Sequence, residues 1–171
     1  EGTKIGMGWP ERFDVIEWIK LIISWEPNAQ IILHGVSMGA ATVLMASGEE
    51  LPENVKVIIA DCGYTSEWDE FKCEANALHI PWFPVLNAAS VMSRLRDGYD
   101  FKQASALEQV KQSRIPTLFI HGSDDELVPY SMLDKLYSAA ACEKECLTVN
   151  GAGHALSSSV EPELYWNTVE S

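Results

Sequence analysis

The stretch QIILHGVSMGAATVLMAS, residues 30–47, decides the fold of this chain of 171 residues. It opens with a short run rich in β-branched residues, Gln30 to His34, which is typical of a fully buried strand. A helix of small residues is predicted from Met38 to Ser47. Between the two, residues 35–39 read GVSMG, a G-x-S-x-G pattern in the strand, turn and helix context that the pattern requires. We therefore expect a sharp turn that presents Ser37 at the carboxyl end of a strand.

The predicted turn has strict steric requirements. Its serine has a strained backbone, and side chains two residues before and after it would collide, so both places call for glycine. Gly35 and Gly39 stand there. The turn would also direct the backbone N–H of Met38 toward an oxyanion that develops on a group attacked by Ser37. A glycine-rich turn with an incidental serine is the plainer alternative.

Strands and helices alternate along the rest of the chain. Strongly apolar runs predict three further strands, and amphipathic periodicity predicts flanking helices. Strands that alternate with helices imply right-handed crossovers and a parallel sheet covered on both faces. We expect an α/β fold with a parallel sheet of about four strands. The further strands are Val55–Ala60, Thr117–Ile120 and Cys146–Val149, and the helices are Pro10–Glu26 with Phe13 on its apolar face, Ser131–Cys142, and one from Pro162 onward.

Residues 64–114 interrupt this alternation. About fifty residues without a strand-like run separate two core strands, and insertions of that size usually have a function. Two or three helices are predicted there, one from Ser66 to Leu78 and another from Val85 to Leu95, with a break at residues 80–84. We treat residues 1–171 as one domain and residues 64–114 as a helical cap insertion within it.

Aromatic and acidic side chains are concentrated in the cap. Trp68, Trp82 and Phe83 could simply pack the cap onto the sheet, or line an acyl or aryl pocket above Ser37. A run of acidic residues would ordinarily form a solvated helix face, but it could also receive a substrate ammonium group. That run comprises Glu67, Asp69, Glu70 and Glu74.

A serine hydroxyl becomes a good nucleophile only when a base takes its proton, so Ser37 requires a histidine oriented by a carboxylate. Residues 121–129, HGSDDELVP, follow the third strand, and residues 150–154, NGAGH, follow the fourth. Both loops should lie at the same edge of the sheet as Ser37. His154 is the candidate base. The candidate acids are the adjacent residues Asp124 and Asp125 and, less directly, Asp61 after the second strand.

The other three histidines fit structural roles better. His34 and His121 stand at strand ends before glycine, where a buried, hydrogen-bonded histidine is expected. His79 in the cap would be solvated or line a pocket. The histidines are scattered without a close pair, so no metal site is predicted.

These three motifs, in this order, resemble those of the α/β-hydrolase superfamily, and within it the serine aminopeptidase-like (S33-like) and Bem46-like hydrolases. The resemblance rests on residues 35–39, on His121-Gly122 with Asp125 and Val128-Pro129, and on residues 151–154, and it extends over almost the whole chain from Gly6. It implies that Ser37 is the nucleophile, that His154 is the general base and then the acid, and that Asp125 orients the imidazole.

The implied activity is cleavage of a carboxylic ester or a related acyl bond of a small molecule through an acyl-enzyme, without cofactor or metal. An aminopeptidase or an acyltransferase on the same residues is the first alternative. The second is a non-catalytic chain that retains the fold.

The resemblance also implies missing parts. Sheets of this superfamily have about eight strands, so the chain would correspond to the C-terminal half of the fold. The loop that supplies the second oxyanion amide would lie outside it. We expect an unpaired edge along residues 30–34, which is a liability for an apolar strand. That edge should pair with a second copy of the chain or with an N-terminal segment of the same protein.

Composition excludes several partners. With 12 Lys and Arg against 25 Asp and Glu, the net charge of −13 opposes binding to nucleic acid and to anionic lipid. No apolar run reaches the roughly 20 residues that span a bilayer, so a soluble protein is expected. A cytoplasmic location is favoured, although the chain starts without Met and an upstream targeting segment could precede it.

The four cysteines match no zinc pattern and are expected to be free thiols, with a Cys142–Cys146 disulfide as the alternative.

Overall fold

A computed structural model describes residues 5–171 of the chain. Four strands form one parallel sheet in the order β1-β2-β3-β4, as predicted from the alternation of strands and helices. The sheet therefore grows by one strand at each crossover, and every strand ends at the same edge. The strands are β1 (Ile31–Val36), β2 (Val55–Asp61), β3 (Thr117–Gly122) and β4 (Lys144–Val149).

Helices cover both faces of this sheet. Those in the predicted regions are α1 (Glu11–Trp25), α2 (Met38–Ala46), α3 (Glu67–Ala77), α4 (Trp82–Asp97), α6 (Ser131–Ala139) and α8 (Pro162–Val169). The bounds of two short helices were not predicted, α5 (Ala106–Val110) and α7 (Ser157–Val160). Both are only about one turn long, and such segments carry too few residues to show a helical period.

Each face of the sheet has its own hydrophobic core. On one face, apolar side chains of β1, β2 and β3 pack with α1, α2, α5 and α6, among them Ile19, Leu44, Ile58, Phe119 and Leu136. On the other face, Ile59, Ile120 and Val149 pack around Tyr165 of α8. Successive residues of a strand point to opposite faces, and the consecutive residues Phe119 and Ile120 accordingly belong to different cores.

The prediction that the first strand is fully buried is wrong. Buried and exposed residues alternate along β1, and Ile32 is 58% exposed. The reason is position: β1 is an outer strand that pairs with β2 alone, and part of one face has no cover within residues 5–171. Phe13 was also expected on the apolar face of α1, but it is 51% exposed, whereas Ile16 and Ile19 are buried.

Residues 64–114 divide between two environments. Helices α3 and α4 pack on each other, and the rings of Phe71 and Phe101 meet edge to face at 5.0 Å. Helix α5, by contrast, contributes Ala106 and Val110 to the core beside α2. The predicted break near residue 80 is real, since α4 begins at Trp82 and is interrupted by a non-helical Phe83 before a cis Pro84.

Residues 5–171 include all four cysteines of the chain. All four cysteines are free thiols, and Cys62 is the one that is buried. The alternative disulfide between Cys142 and Cys146 is not formed. Within this range, none of the helices has the length and apolarity that crossing a membrane requires.

Candidate active site

Ser37 occupies the turn between β1 and α2. Its backbone has φ 55° and ψ −118°, a conformation that L-residues rarely adopt. The strained turn is fixed on both sides, because the N–H of Ser37 donates to the carbonyl of Asp61 at 2.8 Å and its carbonyl accepts from the N–H of Ala41 at 3.0 Å. The serine is thereby held at the carboxyl edge of the sheet, between the ends of β1 and β2.

The two glycines of the turn differ in what they permit. A Cβ atom at Gly35 would overlap the carbonyl of Gly39 and lie 2.6 Å from the backbone nitrogen of Ala40, so glycine is required there. At Gly39 an added Cβ would meet nothing within 4 Å. The expectation that both positions exclude a side chain is therefore wrong for Gly39, because its Cα–Cβ direction points into open space.

His154 approaches Ser37 from the opposite end of the strand order, since Ser37 follows β1 and His154 follows β4. It lies in the loop after β4, and its Nε2 is 2.8 Å from Oγ of Ser37. Its side chain is 22% exposed, so one side of the ring faces solvent while the ring nitrogens are held by other side chains. The structure thus brings together two residues that are 117 positions apart in sequence.

Asp125 holds the opposite side of that imidazole. Its Oδ2 lies 2.9 Å from Nδ1 of His154, and its Oδ1 accepts from the N–H groups of Leu127 and Val128 at 3.0 and 2.9 Å. Nε2 of His121 is a further 3.3 Å from Oδ2. Burial alone would raise the pKa of Asp125, but the hydrogen bonds from His121, His154 and Val128 together lower it below its ordinary value. The carboxylate is therefore ionised throughout the neutral range.

The two other candidate acids are engaged elsewhere. Asp124 is exposed and accepts from Oγ of Ser123 at 2.7 Å. Asp61 is buried, and its Oδ1 accepts from Oγ of Ser157 at 3.3 Å. Burial raises the pKa of Asp61 above its ordinary value. Of the three carboxylates, the structure brings only Asp125 to the ring of His154.

The resulting series of hydrogen bonds runs from hydroxyl to imidazole to carboxylate. Nε2 can accept the proton of Ser37 only when the ring proton is on Nδ1, and a carboxylate beside Nδ1 stabilises that tautomer. Met38 is the first residue of α2, where the leading N–H groups have no acceptor within the helix. Chemically, the arrangement can take the proton from the hydroxyl, and the N–H of Met38 can donate to the oxygen of a carbonyl group that Ser37 attacks.

Cys62 is a neighbour of this site that the sequence analysis did not single out. It follows β2 directly, is 1% exposed and has φ 48°. Its Sγ, a carboxylate oxygen of Asp125 and a ring nitrogen of His154 all lie within 4.8 Å of one another. Burial, with the charge of Asp61, raises the pKa of this thiol to about 12. The sequence did carry one signal for this position: Cys62 directly follows β2, and β2 ends at the same edge of the sheet as the strand before Ser37.

The remaining histidines lie outside the series. His121 is buried, and its Nε2 donates to the carbonyl of Val128 at 2.9 Å, in agreement with the structural role expected for it. His34 was also expected to be buried but is exposed, because it lies on a face of the outer strand β1 that is only partly covered. Its Nε2 lies 3.0 Å from the hydroxyl of Tyr165. His79 is exposed on the loop after α3.

The three aromatic candidates for substrate binding form one cluster. The ring of Trp82 meets those of Trp68 and Phe83 nearly edge to face, with centroids 6.3 and 6.2 Å away. Trp82 lines an apolar pocket of about 300 Å³ between α3 and α4, together with Phe71, Ile80, Val85 and Phe101. Neither Ser37 nor His154 is among the residues that line this pocket.

The acidic run of α3 is not the solvated face that was expected. Glu67 and Glu70 are 3% and 4% exposed, and within residues 5–171 the Oε2 atom of each has no hydrogen-bond partner. Burial and nearby carboxylates raise the pKa of Glu67 to about 8 and that of Glu70 to about 7. Asp69 instead accepts from the hydroxyl of Thr65 at 2.6 Å, and Glu74 is exposed.

The model of the prolyl oligopeptidase family matches residues 11–167. Among curated proteins, the uncharacterized protein YqkD of Bacillus subtilis is 28% identical over 171 residues, 99% of this chain and 56% of that protein. Alpha/beta hydrolase domain-containing protein 17C of Xenopus tropicalis is 29% identical over 106 residues, 60% of this chain and 34% of that protein.

Solved structures show the same fold. The esterase Pf2001 of Pyrococcus furiosus superposes with a TM-score of 0.75 at 20% identity, over 99% of this chain and 63% of that one. The acylaminoacyl peptidase of Pyrococcus horikoshii superposes with a TM-score of 0.70 at 17% identity, over 96% of this chain and 28% of that one. The chain spans about half the length of the curated relatives that it matches.

Proposed function

Because the chain belongs to the prolyl oligopeptidase family, within the α/β-hydrolase superfamily, we propose that it is a serine hydrolase that cleaves a carboxylic ester or a related acyl bond. The observation that supports this proposal most directly is the series Ser37 Oγ, His154 and Asp125, joined at 2.8 and 2.9 Å. The superfamily predicted from the sequence motifs is the one to which the chain belongs.

In the proposed reaction, Ser37 Oγ attacks the acyl carbon while its proton passes to Nε2 of His154. Asp125 stabilises the imidazolium that forms and is not itself protonated. The imidazolium then gives its proton to the leaving alcohol, and the acyl group stays on Ser37 as an ester. Water attacks that ester with His154 again as the base, which releases the acid and restores Ser37.

The tetrahedral intermediates carry a negative oxygen that needs hydrogen-bond donors. We assign the first donor to the backbone N–H of Met38, at the start of α2, where the helix dipole also favours negative charge. A second donor from a segment outside this chain is part of the proposal. Removal of one such donor typically costs on the order of 100- to 1000-fold in rate.

An active-site probe tests the proposal. A fluorophosphonate reagent should label wild-type protein at Ser37, and Ser37→Ala should abolish both labelling and turnover of short p-nitrophenyl esters. Ser123→Ala is a matched control, since Ser123 is also a partly exposed serine at the same sheet edge. Its Oγ donates to Asp124 and accepts from the N–H of Gly151, and among residues 5–171 it makes no hydrogen bond to His154. This variant should label and turn over like the wild type. Labelling that survives Ser37→Ala would contradict the proposal.

A peptidase is the second candidate, because the matched family is described as the prolyl oligopeptidase family and an acylaminoacyl peptidase shares the fold. The same residues would cleave an amide, with His154 protonating the leaving amine. Matched p-nitrophenyl ester and p-nitroanilide substrates with the same acyl group separate the two. Faster release from the anilide would favour the peptidase.

We further propose that residues 64–114 act as a cap whose aromatic cluster selects the acyl group. The pocket lined by Trp82 is apolar along its wall, which suits a branched or aromatic group. Trp82→Ala should raise KM for long or aryl esters more than for acetate esters. Trp166→Ala is the control, because Trp166 is a half-exposed tryptophan on α8 that packs on Tyr165 and lies outside this pocket. An equal change for all esters in Trp82→Ala would contradict an acyl-selecting role.

A further inference from the structure

Three loops bring a thiol, an imidazole and a carboxylate together next to Ser37. Cys62 follows β2, Asp125 follows β3 and His154 lies after β4. Their potential ligand atoms all lie within 4.8 Å of one another. The thiol has no part in the proposed hydrolysis, and burial raises its pKa to about 12, so it is a poor nucleophile at neutral pH. Its presence there calls for another explanation.

We propose that this cluster is a binding site for a thiophilic divalent cation, Zn²⁺ in the first place, and that occupancy switches the hydrolase off. The site would use Cys62 Sγ, one ring nitrogen of His154 and one carboxylate oxygen of Asp125, with a fourth position left for water. The inhibitory consequence rests on the proposed function, whereas binding itself does not.

The geometry is close to what a zinc ion requires. Zinc binds sulfur at about 2.3 Å and nitrogen or oxygen at about 2.0–2.2 Å, which puts neighbouring ligand atoms of a tetrahedral site about 3.5 Å apart. No two of the three atoms are more than 4.8 Å apart, so no pair has to approach by more than about 1.3 Å to reach that spacing. A ring on a loop with 22% of its side chain exposed can move that far, and it also leaves a path from solvent.

The chemical types of the three ligand atoms determine which metal ions the site prefers. Thiolate and imidazole favour Zn²⁺ and Cd²⁺, whereas Mg²⁺ and Ca²⁺ prefer sites made entirely of oxygen. Binding replaces the proton of the Cys62 thiol, which leaves to solvent, and forms a metal–sulfur bond. No electron is transferred, so no oxidant or reductant is needed.

Inhibition follows from the two nitrogens of His154. An ion on Nε2 occupies the lone pair that would take the proton of Ser37. An ion on Nδ1 forces the ring proton onto Nε2, which then donates to Ser37 and cannot accept from it. In both cases the base is lost while the serine and the fold stay in place.

Sequence reasoning could not find this site. Cys62 and Asp125 are 63 positions apart, and Asp125 and His154 are 29 positions apart. These separations are much longer than the short spacings of zinc-finger ligands. Only the parallel order of β2, β3 and β4 makes the three loops neighbours.

A spectroscopic titration tests binding without reference to activity. Cd²⁺ added to the full chain should produce a saturable ultraviolet thiolate-to-metal absorption band that Cys62→Ala lacks. Cys146→Ala is the matched control, since Cys146 is an exposed thiol away from this cluster, and it should keep the band. A band of unchanged size in Cys62→Ala, or no saturable band in the wild type, would overturn the proposal. Should Cys62→Ala fail to fold, Cys62→Ser preserves the shape of the side chain and should also lose the band.

A second experiment tests inhibition. Zn²⁺ should reduce ester turnover by the wild type, EDTA should restore it, and Mg²⁺ at the same concentration should leave it unchanged. Relative to its own metal-free rate, Cys62→Ala should need at least about tenfold more Zn²⁺ for the same inhibition, the loss of affinity that even an outer-sphere partner typically causes. Equal sensitivity of the two proteins would overturn the inhibitory role. A chain without ester turnover would count against the proposed function, while the Cd²⁺ band would still decide whether the site exists.

Discussion

The carboxylate of Asp125 is shared between its own loop and His154: Oδ1 accepts from two backbone N–H groups, and Oδ2 lies 2.9 Å from Nδ1 of the imidazole. One oxygen thus anchors the side chain and the other orients the ring. The side chain has no exposure to solvent, so water does not compete for either oxygen. This division predicts that the charge of Asp125, and not only its shape, matters for hydrolysis.

Asp125→Asn should therefore fold and yet lose most ester turnover. An amide at Oδ2 favours the wrong tautomer of His154, a change that costs on the order of 10⁴ in kcat in serine proteases. Asp124→Asn is the control, because that side chain is exposed and bonded only to Ser123 among residues 5–171. Steady-state kinetics of the two variants decide, and similar kcat values would contradict the role proposed for Asp125.

The two glycines of the serine turn give a matched pair. Gly35→Ala places a methyl group against the backbone of residues 39–40, so we expect a protein that is poorly folded or inactive. Gly39→Ala meets open space and should fold with wild-type stability, apart from a gain of a few tenths to about 1 kcal/mol from the stiffer unfolded chain. Thermal unfolding followed by circular dichroism measures both. Equal destabilisation would mean that the turn differs from the one described.

Burial of Glu67 predicts a pH dependence of stability. Its folded pKa of about 8 exceeds the ordinary value of 4.5, so between these values the folded state holds a proton that the unfolded state releases. The contribution is therefore fully present below about pH 4.5 and is lost as the pH rises to about 8. The loss is on the order of 1.4 kcal/mol for each unit by which the pKa is raised.

Glu67→Gln tests that dependence, because an amide stays neutral. The free energy of unfolding of the wild type should fall between pH 5 and pH 8.5, and the fall should be smaller in Glu67→Gln. Glu70, whose pKa is raised to about 7, should behave similarly over a narrower range. Glu74→Gln on the same helix is exposed and should follow the wild type. A wild-type stability that rises over this range would refute the assignment.

The outer edge of β1 should pair with another strand. That edge lies along Ile31 to Leu33, and β2 occupies only the opposite side. We propose a second copy of the chain or a further segment of the same protein as the partner. Hydrogen exchange, combined with a measurement of molecular size, tests this prediction. In a dimer or a longer chain, pairing should slow the exchange of those β1 amides that point away from β2. A monodisperse monomer of the present chain with all amides of Ile31 to Leu33 protected would contradict pairing.

The parts that could be predicted from the sequence are those with local causes. The turn at Ser37 depends on glycine and strand-turn-helix context, and the parallel sheet on the alternation of apolar runs, so both were within reach. Asp125 could not be separated from Asp124 by pattern; the resemblance favoured it, and the coordinates place it beside His154. Burial of Glu67 and the position of Cys62 depend on contacts between distant segments, which local sequence does not encode.

The strand order has a consequence for the site as a whole. Ser37 follows β1 and His154 follows β4, the two outermost strands of the sheet, so three interstrand spacings of about 4.8 Å lie between the strands that carry them. Their 2.8 Å contact closes that span and thus depends on the width and twist of all four strands together. A strand that joined at β1 and altered this twist would change the distance between hydroxyl and imidazole, so pairing at that edge is expected to affect the proposed hydrolysis.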